Sequence, residues 1–132
     1  MYNRLMTETA LRYEKVTIKN INLAIKIQKT IFPNEDGSLN LIAAADKSLI
    51  EKIYGEGEQE VVDFWLCKNQ DNEFVGMTGI YSNPKYSQTQ DAWCGWFGVL
   101  PKFRDKGYGK KIFLWTMNKA KTLGDRNFRL YT

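Results

Sequence analysis

The segment Trp96-Phe-Gly-Val-Leu-Pro-Lys-Phe-Arg-Asp-Lys-Gly-Tyr-Gly-Lys-Lys111 runs from strand-like residues through two glycines into a helical pattern. Ala92 to Val99 is rich in aromatic and small apolar residues and reads as a β-strand. Pro101 ends it, having no N–H to give to a sheet ladder. Gly107 and Gly109 leave the main chain bare at the turn into the helix, so a ligand can approach the backbone closely. The first turn of that helix offers free N–H groups and the positive end of the helix dipole, the physical basis of a phosphate site. Arg104, Lys106, Lys110 and Lys111 add charge of the matching sign. The segment therefore reads as a diphosphate cradle, against the plainer reading of a strand-to-helix turn whose glycines serve geometry alone.

Spacing restricts the ligand. A Walker loop needs a glycine five residues before its Gly-Lys pair and a hydroxyl after it; here Arg104 precedes Gly109-Lys110 and Lys111 follows. A dinucleotide fingerprint needs a third glycine where this chain has Ile112. The pattern present is Arg-x-x-Gly-x-Gly at Arg104, Gly107 and Gly109, with Val99 and Pro101 upstream and a long amphipathic helix downstream. It resembles motif A of the GCN5-related N-acetyltransferases, whose loop binds the pyrophosphate of acetyl-coenzyme A.

Composition sets the frame around this segment. The 132 residues, 43% hydrophobic and 26% charged, suit one globular domain over 1–132, with residues 1–10 as a loose leader. No apolar run reaches the length of a membrane span, and Met1 to Thr9 lacks the apolar core of a signal peptide, which predicts a cytoplasmic protein. The sequence holds no histidine, which removes the commonest general base and every His-dependent triad. Cys67 and Cys94 sit in strand-like runs and read as buried thiols, with neither a disulfide framework nor a metal site implied. The net charge of +4 conceals an asymmetry: Leu100 to Thr132 carries a balance of +7 and residues 1–99 one of −3. The basic excess thus begins at the glycine turn, where an anionic ligand needs it. A nucleic-acid surface is the competing explanation, and no recognition motif accompanies the charge.

Taken in order, Leu11 to Ile18 alternates as a first strand. Asn20 is placed to cap a helix through Ile31, which Pro33 and Gly37 end. A second helix is predicted from Leu39 to Tyr54, stopped by Gly55, followed by a solvated acidic loop at 56–60. Val61 to Lys68 is a strand, Asn69 to Asn72 a turn, and Glu73 to Tyr81 the hairpin partner. Residues 83–90 form a polar loop positioned over a cleft, and the strand Ala92 to Val99 follows. The helix after the glycine turn is predicted from Lys106 to Leu123, burying Gly109, Ile112, Phe113, Thr116, Met117, Ala120 and Leu123, with Gly124 as its cap. Asn127 to Thr132 begins a last strand.

The order β-α-α-β-β-β-α-β predicts an α/β fold with a mixed sheet, and resembles the N-terminal and central part of the GCN5-related acetyltransferase (GNAT) fold. In the family a further helix and two strands usually follow, often carrying a tyrosine that protonates the leaving thiolate. Ending at Thr132, the chain is expected to lack them. The last strand then has an open edge that a second copy would cover as a homodimer, and cofactor binding is expected to outlast efficient transfer.

The resemblance implies acetyl-CoA as cosubstrate and no metal, with the cofactor held by Phe97, Val99, Arg104, Asp105, Lys106, Gly107, Tyr108, Gly109 and Lys110. It implies an amine acceptor on a small molecule or protein, with neither nucleic acid nor membrane as partner. A backbone N–H within Trp96 to Val99 would stabilise the developing oxyanion. Trp93, Trp96 and Phe97 equally suit sheet packing, and Tyr108 suits packing over the turn. Without histidine the base falls to a carboxylate, a tyrosine or water. Asp91, at the start of the strand, is the candidate, with Glu73, Tyr81 and Trp93 as neighbours of interest. Three classes follow: an acyl-CoA-dependent N-acetyltransferase, a non-catalytic acyl-CoA-binding module or truncated transferase, and a basic nucleic-acid-binding domain.

Overall fold

The computed structural model describes residues 10–56, 61–82, 91–122 and 127–130. Among these residues six strands form one sheet: β1 (Arg12–Lys15), β2 (Val61–Lys68), β3 (Phe74–Ser82), β4 (Asp91–Cys94), β5 (Gly98–Val99) and β6 (Asn127–Leu130). Their order is β1-β2-β3-β4-β6, with β5 also pairing β3. Every pairing is antiparallel except β4 with β6, which is parallel. The hairpin between β2 and β3 closes where the sequence places it. The Asn69 side-chain oxygen accepts from the N–H groups of Asp71 and Glu73, and Asn72 takes a left-handed φ of 61°.

Helices cover both faces of this sheet. On one face, α1 (Ile21–Ile31) and α2 (Ser38–Ala45) bring Ala24, Ile27, Leu41 and Ala44 against Val62, Phe64, Leu66 and Met77. A short α3 (Ile50–Tyr54) joins the same cluster through Ile50. On the other face lies α4 (Tyr108–Thr122), whose Ile112, Thr116 and Ala120 are buried as the spacing of three and four predicts. Thr78 of β3 meets Thr116 at 2.6 Å, and Thr116 also bonds the Ile112 carbonyl, so the one polar pair under α4 is satisfied. Met77 faces α1 and α2 while Thr78 and Ile80 face α4, the period-2 alternation of a strand covered on both sides.

Several boundaries differ from the sequence reading. The first strand is shorter than Leu11 to Ile18: Val16 turns into the core, and Ile18 is 70% exposed. Asn20 precedes α1 without capping it, since its amide is spent on the Thr17 N–H, the Glu14 carboxylate and the Lys15 carbonyl. The predicted Leu39–Tyr54 helix is two helices. Asp46 takes an extended conformation and its carboxylate accepts from the Ser48 N–H and hydroxyl, starting a 3-10 turn at Lys47–Leu49. The last helix starts at Tyr108 rather than Lys106, because Asp105 (φ 65°) and Gly107 (φ 83°) hold the chain out of the helical region. The strand expected to run unbroken from Ala92 to Val99 is divided into β4 and β5. The leader at 1–9, the loops at 57–60 and 83–90, Leu123, Gly124 and the last two residues lie outside the described residues.

Candidate functional site

The division between β4 and β5 is a β-bulge. Ile80 pairs with Cys94 and Met77 with Gly98, so Thr78 and Gly79 on β3 face Gly95, Trp96 and Phe97. Three residues oppose two, which bends the strand and breaks the ladder locally. Trp96 sits in the bulge at φ 45°, a strained conformation for a bulky residue, costing on the order of 1–3 kcal/mol. Its surroundings hold it there. Its indole Nε1 donates to Asn40 Oδ1 at 2.8 Å, Asn40 Nδ2 donates to the Tyr54 hydroxyl at 2.5 Å, and its ring meets Phe32 edge-on at 5.1 Å. Gly37 makes room for the indole: a Cβ at that position would lie 2.6 Å from its ring.

Beyond the bulge the backbone of β5 is turned so that one amide points out of the sheet. The Leu100 N–H donates to the Val75 carbonyl at 2.8 Å, and Gly76 pairs with Val99. Antiparallel alternation then directs both the N–H and the C=O of Val99 away from β3. The Val99 carbonyl accepts from Arg104 Nε at 3.1 Å, as that orientation requires. Among the described residues β6 pairs with Asp91–Cys94 and not with β5.

The glycine turn follows directly. Pro101–Phe103 forms a 3-10 turn, Asp105 and Gly107 both adopt positive φ, and α4 starts at Tyr108. The first N–H groups of α4 have no partner within the helix. A Cβ built on Gly107 meets nothing within 4 Å, so the space beside this residue is open. Arg104, Asp105, Lys106, Gly107 and Lys110 are exposed around it, with Lys111 beside them. The Tyr108 ring packs edge-on against Phe103 at 6.3 Å, in a cluster with Val99 and Ile112. Phe97 packs edge-on against Phe113 of α4 at 6.0 Å. The nine residues read as cofactor-binding lie along the segment from Phe97 in the bulge to Lys110 in the first turn of α4.

On the α1 and α2 face the bulge borders a cavity of about 700 Å³. Its walls are Phe32, Tyr54, Phe64, Tyr81, Trp96 and Phe97, with Glu35, Asn40, Cys94 and Gly95 completing them. Burial raises the Tyr54 hydroxyl above its ordinary range, the Asn40 bond opposing that, and pushes the Cys94 thiol up to about 11. At neutral pH Cys94 is therefore a protonated thiol and a poor nucleophile. Cys67 is buried in β2 with its thiol shifted further in the same direction.

Asp91 lies elsewhere. It starts β4 opposite Asn127, its Oδ2 accepts from Arg129 Nε at 2.6 Å, and it does not line the cavity. Trp93 lies under the same Arg129 guanidinium, and Glu73 sits in the hairpin turn bonded to Asn69. Of the acceptor-side residues singled out from sequence, Tyr81 alone reaches the cavity wall. Glu35, Asn40 and Tyr54 were missed; Asn40 carried a signal as an amide on an otherwise apolar helix face. Among the described residues no group of acidic or cysteine side chains is arranged to hold a metal ion.

A family model described as the acetyltransferase (GNAT) family matches residues 26–132. The chain belongs to this family. Its members transfer acetyl groups from acetyl-CoA. A sequence search of curated proteins gives no significant match. Among solved structures, a predicted acetyltransferase from Clostridium acetobutylicum, determined with acetyl-CoA, is similar with a TM-score of 0.60 at 19% identity, over 93% of this chain and 81% of that one. A GNAT-family acetyltransferase from Staphylococcus aureus Mu50 gives 0.62 at 20% identity, over 93% and 73%. AAC(6')-Iy, in complex with the bisubstrate analogue CoA-S-monomethyl-acetylneamine, gives 0.61 at 12% identity, over 93% and 80%. These likenesses are of fold: mixed α/β, with a mostly antiparallel sheet. Within the described residues no helix is long and apolar enough to cross a membrane.

Proposed function

We propose that this GNAT domain is an N-acetyltransferase that moves the acetyl group of acetyl-CoA onto a primary amine, and that the acceptor is a small molecule. The observation that carries this reading is the junction of the glycine turn with the Val99 amide that points away from β3. Support for a diphosphate there comes from the start of α4 with its free N–H groups, the open space beside Gly107 and the cations at Arg104, Lys106 and Lys110. Phe97 and Val99 would line the path of the pantetheine arm. When bound, acetyl-CoA supplies a thioester whose carbonyl oxygen gains charge as the amine nitrogen adds.

This chain's contribution is then largely positioning and electrostatics. The outward N–H of Val99 donates to the developing oxyanion, a role that removes on the order of 2.7–4 kcal/mol from the barrier in comparable sites. Asn40 and Tyr54 hold Trp96, and through it the bulge that aims that N–H. The incoming ammonium must lose a proton to water or to a carboxylate. Asp91 is engaged by Arg129 and lies away from the cavity. Support for a small acceptor comes from the cavity beside the bulge and from the fold shared with an enzyme solved on an acetylneamine analogue. The same reading puts the protein in the cytoplasm, with a second copy of the chain as its partner. Calorimetry with acetyl-CoA, followed by thiol release in the presence of amines, tests it. Binding with a 1:1 stoichiometry and amine-dependent release is expected; no binding would overturn the reading.

A further inference from the structure

We infer that the acceptor is an apolar, singly charged amine carrying an aromatic ring, and that Glu35 is the group that reads its charge. The inference rests on the transfer reading for its place in catalysis, and on the cavity alone for its chemistry. Five aromatic residues of the cluster on the α1 and α2 face line the cavity, Phe32, Tyr54, Phe64, Tyr81 and Trp96, while Phe97 joins at the bulge with its ring against Phe113 of α4. A volume of about 700 Å³ falls in the range for one small ligand, roughly 300–1,000 Å³. Aromatic faces favour a ring by offset or edge-on contact and favour a cation by their quadrupole.

The polar groups are few, and most are already engaged. Asn40 gives its oxygen to Trp96 Nε1 and its NH₂ to Tyr54, so it has little left for a ligand. Cys94 presents a protonated thiol. Among the described lining residues Glu35 is the only charged one, and neither lysine nor arginine opposes it. Its backbone carbonyl accepts from Gln28 Nε2, which fixes that turn between α1 and α2, while its side chain remains exposed at the rim. One carboxylate answers one ammonium. A polyamine such as an aminoglycoside would bring several cations to a lining that, among the described residues, offers one carboxylate, and the remaining cations would be desolvated without a charged partner. The acceptor chemistry thus departs from that of the aminoglycoside enzyme that shares the fold.

The test uses 2-phenylethylamine as probe, neutral 2-phenylethanol as its uncharged counterpart, and neamine as the polycation. Calorimetry on the protein without acetyl-CoA should rank 2-phenylethylamine above both others. Glu35→Gln should weaken 2-phenylethylamine about fivefold, the upper end for a partly exposed charge pair, and leave 2-phenylethanol unchanged. In the thiol-release assay the same variant should raise KM for 2-phenylethylamine with little change in kcat. Neamine binding as tightly as 2-phenylethylamine, or an unchanged affinity in Glu35→Gln, would overturn the inference, as would no binding of the probe. Because these titrations omit acetyl-CoA, a failure of acetyl-CoA binding would strike the transferase reading separately.

Discussion

Replacing Asn40 with alanine should destabilise the domain and disable the site together, because one amide holds the bulge from two sides. The change removes the acceptor of Trp96 Nε1 (2.8 Å) and the donor to the Tyr54 hydroxyl (2.5 Å), both groups being partly buried. Two lost hydrogen bonds, at about 1 kcal/mol each, give a net loss of about 2 kcal/mol. For 132 residues the entropy of unfolding is about 0.28 kcal/mol/K, so Tm should fall by about 7 °C. Trp96 would then be free to leave φ 45°, and the Val99 amide would lose its fixed direction. A loss of about tenfold in kcat, roughly 1.4 kcal/mol of barrier, is expected. Asn40→Asp keeps the oxygen that Trp96 needs and should recover much of both losses. On a Trp96→Phe background, Asn40→Ala should cost less than on the parent, since the shared bond is already gone. Scanning calorimetry and steady-state kinetics provide the readouts. A Tm within about 2 °C of the parent together with unchanged kcat would refute the idea that this network positions the bulge.

Gly109→Asp should abolish acetyl-CoA binding while leaving the fold intact: a Cβ there meets Val99 at an ordinary 3.8 Å, and a carboxylate in the first turn favours the helix by about 0.3–1 kcal/mol. Calorimetry showing unchanged affinity would remove the pyrophosphate from this turn. Arg104→Ala should weaken binding by about 1.5–3 kcal/mol, and a loss of stability with intact affinity would instead limit Arg104 to bracing the Val99 carbonyl. Stability should fall as pH rises above 9. The unfolded chain ionises Cys94 and Cys67 there, whereas burial keeps the folded thiols protonated, Cys94 up to about 11. A urea midpoint that does not move between pH 8 and 10.5, or a Cys67→Ala, Cys94→Ala variant with the same slope as the parent, would contradict that assignment.

Legibility in the sequence followed how local the determinants were. Val61–Lys68 and the Asn69 turn are set by alternation and by one side chain bonding its neighbours, and both appear where expected. The buried face of α4 follows from spacing alone. The bulge does not: Ala92 to Val99 has the composition of one strand, and the break depends on Trp96 reaching Asn40, 56 residues away. Gly95 and Gly98 on either side of Trp96 were the available sign, since glycine within a strand often marks a bulge. The break in the long second helix depends on Asp46-Lys-Ser48, a side-chain cap inside an otherwise helical pattern. The cavity stayed hidden because its walls come from separate segments, brought together only when the sheet folds against α1, α2 and α3. The glycine turn was legible because its chemistry is contiguous in the chain.

The transferase claim is tested most directly by thiol release from acetyl-CoA across a panel of primary amines, with the parent chain and Gly109→Asp measured side by side. Release that requires both protein and amine, and that disappears in the variant, is the predicted result. Stoichiometric binding of acetyl-CoA with no release above the amine-only background for any acceptor would contradict it, and would leave a domain that holds the donor without using it.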